Sequence, residues 1–393
     1  MIELPSGFLR IIDPAYSNGL WANEKLMDAD DIEFEAPTPP VTGVIGGAGS
    51  YAAVGARMVA GQEHSNTVGW IVDCGSDFPG TIKETILSWN THCIFREDHS
   101  RLTTRGWNGY GPDEKRDFRY LTPKLRLDEE SLTNSLLLSK TFHIICSSLR
   151  CCELVDGILK RRSEVLKETN IDSSQLRARP IFVWEPVPDR CFPEELENFY
   201  KAIRYVDVVS PNENELARFF GGTVWTAANP QDQRIAAKIT QFGIGPKGDG
   251  MLVIRAGKDG CYAFSRNGTL KLPAYKFVDV VDPTGAGNTF LGALAQGLVS
   301  SGRAPFNVIQ GICGSSVWWP GIKCNWGNDE ETPTALICAI IAASFAIEQI
   351  GLPKISFSNE GFECWNGSRY TERIRLYMTQ LRDLYDTFSK GNK

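Results

Sequence analysis

What the chain lacks narrows its function first. Among its 393 residues there is no run of Lys and Arg, and the formal net charge is −6, with a pI near 5.5. That balance excludes the electrostatic footprint of a nucleic-acid binder. Long hydrophobic stretches are missing too. The longest apolar run, ALICAIIAASFAI over 335–347, falls well short of the roughly 20 residues that span a bilayer, and it reads as a buried core helix. The opening MIELPSGFLRII has no basic segment and meets Pro5 before an apolar run develops, so no secretory leader and a cytoplasmic location are expected. Histidine is scarce, with four in all, and no Cys-x-x-Cys or His-x3-His pair occurs, so the ligand spacing of a zinc site is missing. The 11 cysteines are scattered, and reduced, mostly buried thiols are the expectation. No Gly-Lys-Ser/Thr closes a glycine turn, which excludes a Walker A loop.

What is present describes a globular α/β chain. Hydrophobic residues make up 42% and charged residues 22%, the balance of a chain with a sizeable core. Apolar runs bounded by turn residues predict strands in 69–77, 142–148, 180–188 and at the start of 206–221, and two strands around a glycine turn in 251–264. VVDPTGAGNTFLGALAQGLV, from 280, reads as the end of a strand and the opening of a helix. Segments of helical spacing lie between these runs. Buried strands alternating with helices predict a mainly parallel sheet covered on both faces.

Four segments stand apart. Residues 1–27 show no period and read as an irregular extension. PTPP at 37–40 then precedes VTGVIGGAGSYAAVGARMVA, a short strand, a glycine turn and a helix from about Tyr51. Residues 94–127 alternate polar and apolar around GWNGYG, which predicts a small antiparallel lid beside the main sheet. Arg105, Trp107, Asn108 and Tyr110 in it either close over a ligand or belong to a packed hairpin or dimer contact. Residues 313–334 hold three tryptophans, two cysteines and several breakers between apolar helices. They read as an inserted loop, with Trp318, Trp319 and Trp326 as a contact surface in the alternative. Residues 371–393 read as a C-terminal helix and tail.

Chemistry concentrates in a few short stretches. In DPTGAGN (282–288), Pro283 lacks an N–H, and Gly285 and Gly287 permit tight angles and close approach. The following helix shows Phe290, Leu291, Leu294, Ala295 and Leu298 on one face. Amides of 285–288 would then point out of a helix N-terminus, where an anion is favoured; an ordinary strand-to-helix turn has the same look. PNENE (211–215) is either an Asn cap with acidic residues in the first helical turn or a carboxylate and an amide for a hydrated Mg²⁺. RAGKDG (255–260) is a hairpin turn with solvated charges or one wall of a nucleotide pocket. GAGSYAAVGA (47–56) matches a dinucleotide fingerprint in Gly47 and Gly49 only.

Taken together and in this order, GGAGSYAAVGARM, PNENE and DPTGAGN, with RAGKDGCYAF before the last, resemble the PfkB (ribokinase-like) family of carbohydrate and nucleoside kinases over about residues 40–365. The likeness is nearest to a fungal, killer-maintenance-like subgroup with similar GGAGxYAAxGAR and DPTGxGN. The resemblance implies a three-layer α/β sandwich, with a mainly parallel central sheet and a small β lid, over 28–370. It implies ATP, Mg²⁺ and a small sugar-, nucleoside- or metabolite-like acceptor; the charge and the short apolar runs point to no nucleic-acid or membrane partner, and a homodimer through the lid remains the alternative for 94–127. Carried onto this sequence, Gly285, Ala286 and Gly287 form the anion hole. Asp282, Thr284, Arg255, Gly257 and Gly260 lie on the nucleotide side. Gly46, Gly47, Tyr51, Arg105 and Asn108 lie on the substrate side, with Asp30 the nearest candidate for the acid that holds substrate hydroxyls. Asn212 and Glu215 place Mg²⁺ through water.

Two positions depart from the family. Asn288 stands where the family has an Asp that takes the proton from the attacking hydroxyl, and Tyr51 stands where an Asn usually contacts the sugar. General-base catalysis contributes about 10²–10⁴ in rate, whereas phosphoryl transfer leans mostly on positioning and charge stabilisation. A slow phosphotransferase and a pseudokinase with a structural or regulatory role both follow from the sequence.

Overall fold

The computed structural model describes residues 18–19, 29–33, 39–110, 116–123, 125–169, 179–327 and 329–391. Its centre is a sheet of strands β8 (Thr141–Cys146), β9 (Ile181–Pro186), β10 (Val208–Val209), β11 (Met251–Arg255), β12 (Cys261–Ser265) and β13 (Gly268–Leu272), in the order β13-β12-β11-β10-β9-β8. β8 to β11 are parallel, and β12 and β13 add an antiparallel edge. Beside β8 lies the short β1 (Asn18–Gly19), which pairs in parallel with β4 (Val68–Gly75), itself parallel to β5 (His92–Asp98). Residues 18–19 therefore contribute a strand within the segment read as irregular.

The parallel strands read as continuous apolar runs because both faces are covered. Their side chains alternate between two cores. Val72, Ile145, Val183 and Val253 face one; Ile71, Ile144, Phe182, Trp184, Leu252 and Ile254 face the other. The first core is roofed by α1 (Ala48–Ala60), α2 (Gly80–Ser88), α8 (Ala286–Gly297), α9 (Ala304–Cys313), α10 (Trp318–Trp326), α11 (Glu331–Ala346) and α12 (Tyr370–Gly391). The second is closed by α3 (Asn134–Leu137), α4 (Ser148–Thr169), α5 (Leu196–Ala202), α6 (Glu213–Phe219) and α7 (Pro230–Phe242). This is the expected three-layer α/β architecture. No helix among the described residues is long and apolar enough to cross a membrane.

A separate sheet orders β3 (Val41–Val44), β2 (Ala29–Glu33), β6 (Arg105–Tyr110) and β7 (Arg116–Tyr120) side by side. The sequence placed the lid at 94–127, and the boundaries differ. Residues 92–98 are β5, paired with β4 and not with the lid strands, and there Phe95 packs on one core and Ile94 on the other. A half-covered edge strand shares the period-2 pattern of a lid strand, so the pattern alone could not separate them. Two lid strands come instead from 29–44. GWNGY lies within β6, pairing with β7, and is not a turn. A C-terminal hairpin of β14 (Ile355–Phe357) and β15 (Glu363–Trp365) completes the strands among the described residues.

Two other expectations change. Residues 313–334 are helical for most of their length, and Trp318, Trp319 and Trp326 are buried in the first core, not displayed. The breakers end helices: Gly314 (φ 36°) terminates α9 and Gly327 (φ 82°) terminates α10. Val280 and Val281 join no strand and are 63% and 60% exposed. The N–H groups of Val281 and Asp282 donate instead to the Ile347 carbonyl (2.7 and 3.2 Å) just past α11, where helices leave carbonyls unmet.

Candidate active site

The three-stranded sheet β1-β4-β5 meets the edge of the central sheet where β1 lies near β8. The chain passes from β1 to β4 on one side and to β8 on the other. Crevices at the C-terminal ends of strands where the order reverses are where open α/β sheets bind ligands. The residues of interest gather there, at the ends of β8, β9, β10 and β11 and at the start of α8.

The glycine turn is built as an anion cradle. Gly285 adopts φ 79°, ψ −9° at the N-cap of α8, a left-handed conformation that glycine takes at little cost. The Ala286 N–H donates to the Pro283 carbonyl (3.3 Å), and the Thr289 N–H donates to Gly285 (2.8 Å). The amides of Gly287 and Asn288 have no acceptor among the described residues. Two unmet donors at the positive end of a 12-residue helix favour an anion. A Cβ on Gly285 would fall 2.3 Å from the Tyr51 ring, and one on Gly287 would fall 2.2 Å from Arg255 Nη1. Tyr51 and Arg255 are thus the two walls of the cradle.

Close helix packing brings the two glycine motifs together. A Cβ on Gly55 of α1 would meet the Thr289 carbonyl oxygen at 2.0 Å, and one on Gly292 of α8 would meet the Ala52 oxygen at 1.9 Å. The helices cross with backbones in contact, which only glycine allows at those two positions. Tyr51 (3% exposed) is thereby pressed against the first turn of α8.

Around the cradle lies a buried polar network. Arg255, at the end of β11, places Nη2 2.9 Å from Glu185 Oε1, 3.1 Å from Glu215 Oε2 and 3.1 Å from the Ser210 carbonyl. Asn288 Nδ2 donates to Glu185 Oε2 (2.8 Å). His143, fully buried on β8, holds Nε2 3.5 Å from that same oxygen. Glu215 and Asn212 form a reciprocal capping box on α6: each backbone N–H donates to the other's side chain (2.8 Å), and Asn212 Nδ2 reaches Glu215 Oε1 (2.8 Å). One guanidinium therefore serves two carboxylates. Removing it would leave buried charge uncompensated. Cys191 sits against this network; burial, with the Glu215 carboxylate next in effect, pushes its thiol well up.

The remaining candidates are distributed as follows. Asp282 is buried, and its Oδ1 accepts the Thr284 N–H (2.9 Å), bracing the turn ahead of the cradle. Gly257 (φ 47°) opens the turn between β11 and β12 near Glu213, whose carboxyl is raised by burial and by Asp259. Gly260 (φ 87°) packs its Cα against β13, with the Leu272 oxygen 2.1 Å from a Cβ there, so its role is in the backbone. Gly46 and Gly47 lead into α1, and Gly47 (φ 85°) is its N-cap. Asp30 lies on β2, in register with Val44 and Gly106. Asn108 is buried on β6. Arg105 points to the root of the lid, with Nη2 3.2 Å from Asp77 Oδ2. Burial raises the Asp77 carboxyl, but hydrogen bonds from Thr103 and the Arg105 charge outweigh it and hold it below its usual value. The cradle, Tyr51, Arg255, Asn288, Asn212 and Glu215 meet; Arg105 and Gly260 are engaged elsewhere.

Sequence reading passed over Glu185 and His143. Each is a polar residue inside an apolar strand, FVWEP and FHIIC. A charge in a strand buried on both faces is a signal in its own right. Both share the strand face of Val183 and Ile145, toward α8.

Comparison with known proteins agrees with this geometry. Residues 185–308, from Glu185 through the cradle helix, match the profile of the pfkB family of carbohydrate kinases. An uncharacterised Schizosaccharomyces pombe protein is 32% identical over 365 residues, covering 88% of this chain and 90% of that one. Protein MAK32 of Saccharomyces cerevisiae is 30% identical over 386 residues, covering 92% and 94%. A putative ribokinase II from E. coli, solved in complex with ATP and Mg²⁺, superimposes with a TM-score of 0.57 at 17% identity, covering 93% of this chain and 99% of that one, and shares the fold. With relatives of this identity along nearly the whole length, and a cradle, a cap and a sheet crevice in the places the family motifs require, the chain belongs to the pfkB family of carbohydrate kinases, in its fungal MAK32-like subgroup.

Proposed function

We propose that the protein is an ATP-dependent phosphotransferase acting on a hydroxyl of a small carbohydrate-type acceptor. The observation that carries this reading is the pair of unmet amides at Gly287 and Asn288, held open by two glycines beside Arg255 at the sheet crevice. Phosphoryl transfer develops charge on the equatorial oxygens of the moving group, and positioned donors stabilise that charge. The amides of 287–288 and the Arg255 guanidinium are such donors. The turn at Gly257 and the braced Asp282–Thr284 segment flank them on the nucleotide side. Tyr51, buried against the first turn of α8, fills the position where the family has an amide, so that amide's contact with the acceptor is lost.

Mg²⁺ fits here only in a limited way. Among the described residues no three His, Cys, Asp or Glu side chains are grouped to hold a metal ion, and both Glu215 oxygens are engaged. That donor set fits a hydrated ion carried on nucleotide phosphates, with Glu215 and Asn212 reached through water. Such an ion would neutralise phosphate charge.

A second reading has its own observation. The Asn288 amide is already bonded to Glu185 and cannot accept a proton, as in a pseudokinase that retains nucleotide binding for a structural role. One measurement separates the readings, and a second tests what they share. Under both, ATP with Mg²⁺ raises the melting temperature by mass action and Gly287→Val abolishes the shift. Only the first gives a labelled product when labelled ATP meets a panel of sugars, nucleosides and polyols. A melting temperature indifferent to ATP would sink both.

A further inference from the structure

The Glu185 carboxylate is tied directly to Asn288, one of the two positions that depart from the family. Its Oε2 accepts the Asn288 Nδ2–H at 2.8 Å, so the carboxylate lies one hydrogen bond beyond the tip of side chain 288. It projects from the end of β9 on the face that meets α8. Its side chain keeps 10% of its surface accessible, while His143 behind it keeps none. The bond also fixes the amide: one Nδ2 hydrogen is held by Glu185, and the second can be donated to an acceptor's hydroxyl oxygen, which leaves that hydroxyl's own proton for the carboxylate.

We infer that Glu185 is the proton acceptor of the reaction, the carboxylate having moved from α8 to β9 while Asn288 orients the hydroxyl. The inference rests on the phosphotransferase reading above. In the step, the acceptor oxygen forms a bond to the γ-phosphorus. The bond between that phosphorus and the β,γ-bridging oxygen breaks, and ADP leaves with the electron pair. The hydroxyl proton passes to Glu185. An Asp at position 288 would put two carboxylates within a hydrogen bond of each other. Like charges so placed cannot both stay ionised, so Asn288 and Glu185 form a matched pair carrying one negative charge. Arg255 on β11 faces Oε1 and His143 on β8 faces Oε2; Glu215 on α6 and Cys191 after β9 also lie in these titratable surroundings.

The test is a charge exchange in the full-length protein. Glu185→Gln keeps shape, its oxygen accepting from Arg255 and its amide donating to a flipped Asn288, so the ATP-induced melting shift stays within about twofold while transfer falls by about 10²-fold or more. The acid limb of the wild-type kcat–pH profile flattens in E185Q. Asn288→Asp alone does not speed transfer. The double variant E185Q/N288D restores most of it, because the amide introduced on β9 then donates to the carboxylate introduced on α8. A mere packing role for Glu185 would alter stability without moving the acid limb and without rescue by the exchange. If wild type transfers phosphate and E185Q does so at an unchanged rate, Glu185 is not the acceptor and the phosphotransferase reading stands. If ATP binds and neither wild type nor E185Q/N288D transfers, the inference is overturned and the pseudokinase reading stands. If ATP does not bind, the reading it rests on has failed.

Discussion

Gly285 carries two constraints that can be separated. Its φ of 79° disfavours any Cβ, which costs roughly 1–2 kcal/mol in a left-handed residue. The Tyr51 ring occupies the space a methyl would need, and overpacking adds about 1–3 kcal/mol. Gly285→Ala should therefore lower the urea midpoint and abolish the ATP-induced shift. Adding Tyr51→Ala should return part of the stability, through the contact alone, and leave the backbone share behind. A double-mutant cycle by urea unfolding measures this coupling; strictly additive effects would mean the ring and residue 285 do not meet. The same scale shows what a sequence can reveal of a site. Asn288 was legible because it stands in a motif whose usual residue is known. Its partner was not, because Glu185 lies 103 positions away, and only the pairing of β8 with β9 and the packing of α8 on that face bring them together.

Elements were legible where burial was uniform. β4, β8, β9 and β11, covered on both faces, stand out as apolar runs. Legibility failed where one local pattern serves two environments, as in the edge strand β5 and the lid. It failed again where side-chain size outweighed breakers: Trp318, Trp319 and Trp326 drive α10 into the core although Gly, Pro and Asn surround them. The α1–α8 crossing was half legible, since its glycines were visible but their mutual contact was not. That contact carries the next prediction. Gly55→Ala and Gly292→Ala should each destabilise by about 1–3 kcal/mol or more, because the obstructing atoms are backbone and cannot rotate away. Forcing the helices apart also withdraws Tyr51 from the cradle, so the ATP shift should fall even where the fold survives. Matched alanine changes at Gly80 and Gly311, where a Cβ meets nothing within 4 Å, should do neither. Comparable losses at all four positions in chemical denaturation would refute the interlock.

At the scale of the molecule, the larger core holds acids that titrate only when it opens. Burial pushes Cys261 and Cys338 up to about 12, from an ordinary 9.0. Tyr370 and Tyr377 are raised well above 10.0, again chiefly by burial. These groups come from β12, α11 and α12. Tyr370 Oη donates to the Cys338 carbonyl (2.7 Å), and Tyr377 Oη donates to Pro273 (2.6 Å). In the unfolded chain each thiol loses its proton as pH passes 9, while in the native state it keeps the proton to about 12. The native state thus binds more protons across that window, and stability must fall as pH rises, by roughly 1 kcal/mol per pH unit for each thiol. The tyrosines steepen the fall above pH 10. Below pH 9 the four groups contribute no slope. The urea midpoint, followed from about pH 8 to 11, should be level with respect to these groups at first and then decline. Cys338→Ala should start lower, because a buried sulfur is lost, yet decline less steeply, since one proton has left the balance. Slopes that coincide for wild type and C338A would mean the thiol titrates alike in both states, and that the core around α11 admits water in the native protein.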